Sequence, residues 1–368
     1  MPDDKRSVAP AIWLFLASRA VIWALAVVAV VVFDGALNAR RGEWDSARLH
    51  DLGVAVDVWA RWDSDWFLRI AEHGYSWPSS TPAFFPLYPL LVAAFGWVLL
   101  GHTVLAGVLV SLVAGAAAFG LLYQLALERL GEEVARRTVL FLAVAPTSLF
   151  FGAVYSESLF LLLTVASFVA AERGRFWQAG VAGGLALLTR SAGVALVPAL
   201  VVLAWRAPNR RRALAGVAVT PVLFGLYPLL LSLWIGQPLG FLEAQRVVWE
   251  RRLSPAGPLG GVIAAVQHRE VLDLAVAAAL IVLGIVAWQR IGAAYGLYTL
   301  TSVVIPLTFV STKLPLWSMQ RFAIVVFPAF MALATIVRNR RAVLVTATIL
   351  AAGLAVYVVR WALWFWVA

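Results

Sequence analysis

The chain has 368 residues, 62% of them hydrophobic and 13% charged, with a net charge of +10 and no cysteine. A mean hydropathy of +0.89 lies outside the range of soluble domains and marks a polytopic membrane protein; the missing cysteines exclude disulfides, thiolate catalysis and cysteine-ligated metal centres. The basic residues cluster in short gaps between apolar runs, the signature of cytoplasmic loops rather than of a nucleic-acid surface.

The first apolar run, Pro10 to Phe33, is long enough to span and lacks a small-residue cleavage site, so it is expected to be retained as the first helix. Apolar runs then predict spans near 104–127, 137–152, 155–172, 177–190, 192–205, 213–236, 272–289, 293–311, 321–337 and 342–366, about eleven with the first at 11–33. Several fall short of the ~20 residues that a perpendicular span needs, which implies broken helices around a protein-lined cavity. If the short loops carrying Lys5 and Arg6, Arg129, Arg136 and Arg137, Arg173 and Arg175, Arg206 with Arg210 to Arg212, Arg290, and Arg338 to Arg341 are cytoplasmic, the spans alternate from end to end. That topology requires segment 87–101 to lie along the outer face without crossing. It predicts one integral-membrane domain over 1–368, with a long first external loop, 34–103, carrying juxtamembrane helices, and a second at 237–271.

Within the first loop, residues 59–89 read WARWDSDWFLRIAEHGYSWPSSTPAFFPLYP. On a helix of about 100° per residue, Trp59, Trp62, Trp66, Phe67 and Ile70 form one stripe, and Asp63 falls inside it. A carboxylate toward lipid is expensive, so Asp63 is expected either in a protein cavity, as a buried reactive group, or as a helix cap or salt-bridged structural acid. Asp63-Ser64-Asp65 resembles the DxD of metal-dependent sugar transferases, but helical residues two apart diverge by about 200° and cannot chelate one ion; Asp65 is expected to be solvated. No i, i+4 histidine pair supports a metal site, and no Walker-type loop or dinucleotide fingerprint occurs.

Further candidates follow in the other outer segments. Glu157, after Tyr155 in VYSESLF, is expected either to cap a helix N-terminus or to contact substrate. Arg190, in TRSAG, interrupts a long apolar run and should pair with a charge. Arg246, Arg251, Arg252, Arg269, Lys313 and Arg321 break the positive-inside pattern, either as headgroup contacts or as an anion site for a lipid phosphate or pyrophosphate. All these polar residues gather on one side of the expected topology, which points to a single external site.

RWDSDWFLRIAEHGY followed by AFFPLYP resembles the signature of the PIG-V family, mannosyltransferases of GPI-anchor assembly with bacterial homologues, within the GT-C glycosyltransferase superfamily. APTSLFFGAVYSESLF, LLTRSAG, FLEAQRVVWERRLSP and SMQRFAIVVFPAF are similar to blocks at corresponding places. The resemblance implies a multi-helix GT-C fold and an inverting, metal-independent transfer, without cofactor, from a polyprenyl-phosphate sugar to a lipid or glycolipid acceptor. The family's acidic residue falls on Asp63, and its basic and polar positions map to Arg190, to Gln245, Trp249 and Arg252, and to Gln320 and Arg321. Trp62, Glu72, His73, Tyr75, Tyr155 and Glu157 are expected to contact substrate.

The chemistry assigned to these residues is a proton taken from the acceptor hydroxyl by Asp63, and a leaving phosphate stabilised by Arg190, Lys313 or Arg321. Membrane lipids are expected partners and nucleic acid is not; the oligomeric state stays open. The expected location is the plasma membrane, with a cytoplasmic N-terminus and an extracytoplasmic active site. A transferase using another polyprenyl-phosphate sugar, such as arabinose, and a lipid-linked glycan flippase remain alternatives.

Overall fold

The computed structural model describes residues 7–367, the side chain of Asp34 excepted. Lys5 and Arg6, counted above among the basic loops, lie outside the described residues.

Helix α1 (Ala9–Val32) begins with Pro10 in its first turn, where a missing N–H costs nothing. Three single 3-10 turns and one helical turn, Val54–Asp57, lead to α2 (Ser64–His73). It ends at Gly74, whose φ of 75° stops the helix while its N–H still bonds Ile70. Next come α3 (Leu87–Val98), α4 (Thr103–Leu130), α5 (Glu132–Val144), α6 (Glu157–Glu172), α7 (Phe176–Leu187) and α8 (Leu196–Trp205). Then α9 (Arg210–Ile235) runs as three consecutive pieces. The second long loop carries α10 (Gly240–Val247), strand β1 (Arg251–Leu253) and α11 (Pro258–Gln267). The remainder is α12 (Val271–Arg290), α13 (Ala293–Thr308), strand β2 (Phe309–Ser311), α14 (Met319–Ala323), α15 (Phe327–Ile336) and α16 (Arg340–Ala362).

Among the described residues, five helices are long and apolar enough to cross a membrane: α1, α4, α9, α12 and α16. The other expected spans are short or interrupted. The 137–152 run stops at Val144 because Pro146 starts a 3-10 stretch, Pro146–Phe151. The 293–311 run ends as β2, and the 321–337 run is split into α14 and α15 ahead of Pro328. Segment 87–101 forms α3, whose 12 residues are too short to span alone.

The stripe expected over residues 59–70 is corrected. The Asp57 carboxylate accepts the N–H groups of Asp51, Leu52 and Gly53, closing the turn that leads into the first helical piece, Val54–Asp57. The chain then reverses at Trp62, which adopts φ 54°, and the helix restarts only at Ser64. Trp59 and Trp62 therefore face no lipid. They are buried in a core cluster with Ile22, Tyr88, Val154 and Trp361, drawn from α1, α3, the loop before α6, and α16. A larger cluster joins α4 to α9 with α12, α13 and α15.

Two features fix the frame around the loops. A methyl group on Gly180 of α7 would lie 2.0 Å from the Gly216 carbonyl oxygen of α9, so the two glycines permit a backbone approach that larger residues would block. Arg19, buried within α1, donates to the carbonyls of Ala143, at 2.9 Å, and Ser148. It thereby satisfies the end of α5 and holds the 3-10 stretch that leads to Tyr155 and Glu157.

Candidate active site

Glu157 opens α6 and Glu172 closes it, so by helical rise they stand roughly 22 Å apart. The Glu172 end carries the surface pairs Arg129–Glu172 and Arg173–Glu128. At the other end, around Glu157, the long loops converge.

They are drawn together by one backbone pairing. β1 and β2 are antiparallel, with Arg251 opposite Ser311 and Leu253 opposite Phe309. The pairing ties the 237–271 loop to the segment that carries Trp317, Ser318 and Arg321. A cavity of ≈ 100 Å³ results, walled by Phe67 and Phe84 from the first loop, Arg190, then Gln245, Trp249 and Arg251, and Trp317, Arg321, Phe322 and Trp366. Rings line one side: Trp317 sits 5.6 Å from both Trp249 and Trp366, and Trp249 6.3 Å from Phe84.

The charges form a compact network. Nη1 of Arg321 donates to Oδ2 of Asp63 at 2.6 Å, and its Nε lies 3.5 Å from Glu157 Oε1, too far for a good hydrogen bond. Arg190 donates to Glu157 and, at 3.2 Å, to Ser156. Glu157 is fully buried, and its Oε2 has no partner among the described residues. It therefore anchors two arginines and does not cap its own helix.

Asp63 occupies the N-cap position of α2 without capping it. Its backbone N–H donates to the Tyr155 hydroxyl, which in turn reaches the Arg61 carbonyl. The left-handed turn at Trp62 and the buried Tyr155 thus aim the carboxylate at Arg321; a strained residue of this kind costs about 1–3 kcal/mol and persists only where its surroundings over-determine it. Asp63 lies behind Arg321 and not on the cavity wall itself. Among the described residues its Oδ1 has no hydrogen-bond partner.

The third arginine is differently placed. Arg251 makes a single hydrogen bond, to the Trp317 carbonyl at 3.2 Å, and has no carboxylate partner among the described residues. Burial, and next the neighbouring Arg321, push its guanidinium down to about 10, so it stays charged at neutral pH but pays for that charge. Arg190, Arg251 and Arg321 all lie over the ring of Phe322, at 5.7, 5.5 and 5.9 Å. Three guanidiniums face two carboxylates, leaving one positive charge for an anion.

The remaining candidates from the sequence divide. Gln245 and Trp249 line the cavity, and Tyr155 backs it. Trp62 packs one layer behind, edge-on to Trp364 and Trp366. Tyr75 is buried outside the cavity and donates to the Phe84 carbonyl, so it holds the wall at one remove. Glu72 pairs with Arg48 at 3.2 Å, and His73 is exposed beside it. Lys313 pairs with Glu250 on the outer rim, 60% exposed. Gln320 bonds Asp273 and Tyr357. Arg252 is exposed because side chains alternate along β1, and the same alternation turns its neighbour Arg251 inward. Asp65 is not solvated as expected; it pairs with Arg48 at 3.0 Å and Arg69 at 3.1 Å, while Asp63 points to Arg321, so the two carboxylates do diverge. Among the described residues no group of three His, Asp or Glu could hold a metal ion. The sequence reading missed Phe322, for which no local signal exists, and Arg19, a lone charge within an apolar run.

A family model described as Mannosyltransferase (PIG-V) matches residues 49–206, the segment that contributes Asp63, Tyr155, Glu157 and Arg190. The GPI alpha-1,6-mannosyltransferase 2 of Rattus norvegicus is 35% identical over 154 residues, covering 38% of this chain and 30% of its own. The Homo sapiens protein of that name is 34% identical over 149 residues, again 38% and 30%. The matched stretch is thus under a third of those curated relatives. Among solved structures, ArnT from Cupriavidus metallidurans bound to undecaprenyl phosphate superposes with a TM-score of 0.52 at 17% identity, covering 88% of this chain and 59% of that one. Its apo state gives the same TM-score at 19% identity. The chain therefore shares the helical fold of ArnT, and over residues 49–206 resembles the PIG-V mannosyltransferases.

Proposed function

We propose that the protein transfers mannose from a polyprenyl-phosphate donor to a hydroxyl of a lipid or glycolipid acceptor, with inversion and with Asp63 as general base. The observation that carries this reading is the network of Asp63, Glu157, Arg190 and Arg321 at a cavity where Arg251 leaves one positive charge unmatched. The likeness of residues 49–206 to mannosyltransferases supports the sugar. The structural neighbour bound to undecaprenyl phosphate supports the carrier.

In the proposed step the acceptor oxygen attacks the anomeric carbon from the face opposite the phosphate. The bond from that carbon to the phosphate oxygen breaks, and its electron pair leaves with the phosphate. The acceptor proton passes to Oδ1 of Asp63, the oxygen that Arg321 does not hold; because Asp63 stands behind Arg321, the acceptor hydroxyl reaches it past that side chain. A departing phosphate needs no acid, only stabilisation of its charge in a water-poor site. Arg251 supplies the unmatched charge, and Arg190 and Arg321 add donors while remaining tethered to Glu157 and Asp63. The indole faces of Trp249, Trp317 and Trp366 offer an apolar wall for the sugar ring and the first carrier units. The position of the site at the end of the bundle away from the basic clusters supports an extracytoplasmic active site under the positive-inside rule.

Incubating purified protein with labelled polyprenyl-phosphate-mannose, polyprenyl-phosphate-arabinose and a membrane lipid extract tests this reading. Label is expected in a lipid product from mannose. Transfer from arabinose alone would move the protein to the other carrier-linked sugars, and movement of the intact donor across a vesicle bilayer without transfer would favour the flippase.

A further inference from the structure

The opposite end of the molecule holds a second cavity, of ≈ 560 Å³, lined by Leu130 of α4, Val134 and Arg137 of α5, Arg290 of α12, Thr335 of α15, and Arg338 just beyond it. Three guanidiniums from separate elements meet at the C-terminus of α15. Arg290 and Arg338 both donate to the Thr335 carbonyl at 2.9 Å, and Arg137 donates to the Val337 carbonyl at 3.2 Å.

Capping that helix end does not account for the charge. A helix C-terminus is worth about half a negative charge, and the one carboxylate in the group, Glu133, pairs with Arg137 at 3.3 Å from a position 76% exposed. More than one positive charge is left over. Three neighbouring arginines at this end do have a carboxylate: Arg129 with Glu172, Arg136 with Glu132, Arg173 with Glu128. Arg290 and Arg338 have none among the described residues. Each still presents unused N–H donors, in the planar geometry that suits a phosphate. The apolar side of the cavity, Leu130 and Val134, lies where helices leave the bilayer and lipid headgroups sit.

We propose that this cavity binds the phosphate of an anionic lipid headgroup, held between Arg290 and Arg338 with Arg137 at its side. The site is separate from the donor cavity: the two share no lining residue. A phosphate in the cavity would tie α5, α12 and the end of α15 together, so its effect falls on stability and lipid preference and does not depend on which sugar the protein transfers.

The test reconstitutes the full chain in nanodiscs of phosphatidylcholine alone or mixed with phosphatidylglycerol, and titrates inorganic phosphate into detergent-solubilised protein. Phosphatidylglycerol is expected to raise the Tm of the wild type, and inorganic phosphate to raise it less. The phosphatidylglycerol gain should vanish in Arg290→Gln/Arg338→Gln and persist in Arg211→Gln, which removes an exposed charge near the same end but outside the cavity. Since the double variant also removes caps from α15, Arg338→Gln alone and native mass spectrometry of the wild type provide independent readings; retention of phosphatidylglycerol in excess over phosphatidylcholine is the supporting result. An equal gain in wild type and cavity variants, or no preference with either probe, would overturn the site. A shift with inorganic phosphate but none with phosphatidylglycerol would overturn the lipid assignment in favour of a soluble phosphate.

Discussion

The two ends of α6 each carry a glutamate bound to arginine, and they do opposite things with it. Glu172, 19% exposed, meets Arg129 at 37% and takes a hydrogen bond from Tyr295; such pairs near water contribute at most about 1 kcal/mol. Glu157 is fully buried, holds Arg190 and lies near Arg321. Burying two ions costs more than their attraction returns unless every lone pair is used, and here Oε2 of Glu157 is left unused. A chain under selection for stability alone has little reason to keep that arrangement. It is better understood as a site that holds its charges ready for a ligand.

Variants at the two ends would sharpen or break this contrast. The largest effect is expected from Arg321→Ala, which leaves Asp63 and Glu157 short of a counter-charge: transfer should be lost and stability should fall by about 3–5 kcal/mol, read from denaturation in detergent. Glu157→Gln should follow, with donor KM raised and kcat lowered because Arg190 and Arg321 lose their common anchor; unchanged kinetics would reduce Glu157 to packing. Next comes Arg251→Gln. One charge-assisted contact is worth about 1.5–3 kcal/mol, so donor KM should rise by roughly 10- to 100-fold, while Arg252→Gln leaves it alone. If the two were reversed, the register of β1 against β2 would be wrong. Glu172→Gln should have the smallest effect, under about 1 kcal/mol in stability and none on transfer.

The legible part of the site was legible for one reason. A charge in apolar surroundings is expensive: Arg190 interrupts an apolar run, Asp63 fell inside the expected apolar stripe, and Arg321 stood out by breaking the positive-inside pattern. Arg19 obeys the same rule and could have been found by it. The choice between Arg251 and Arg252 depended on which face of a three-residue strand meets the cavity, and that strand exists only because β2, nearly sixty residues later, pairs with it. Local reading cannot see such a partner. Glu72, His73, Lys313 and Gln320 were polar residues in outer segments, but the structure gives each a neighbour away from the cavity. For the fold, hydropathy located the helices, and Pro146 and Pro328 mark interruptions that run lengths alone concealed. The helical stripe over residues 59–70 failed because the chain takes a left-handed turn at Trp62 and the helix restarts only at Ser64, a break invisible to periodicity.

The central claim is that Asp63 takes the acceptor's proton. Donor binding and single-turnover transfer should be measured side by side for wild-type protein and Asp63→Asn, in which the amide oxygen can still accept from Arg321. The account predicts that the variant folds and binds polyprenyl-phosphate-mannose while transfer falls by about 10²- to 10⁴-fold, the usual worth of a general base. Transfer at the wild-type rate by the folded variant would contradict it.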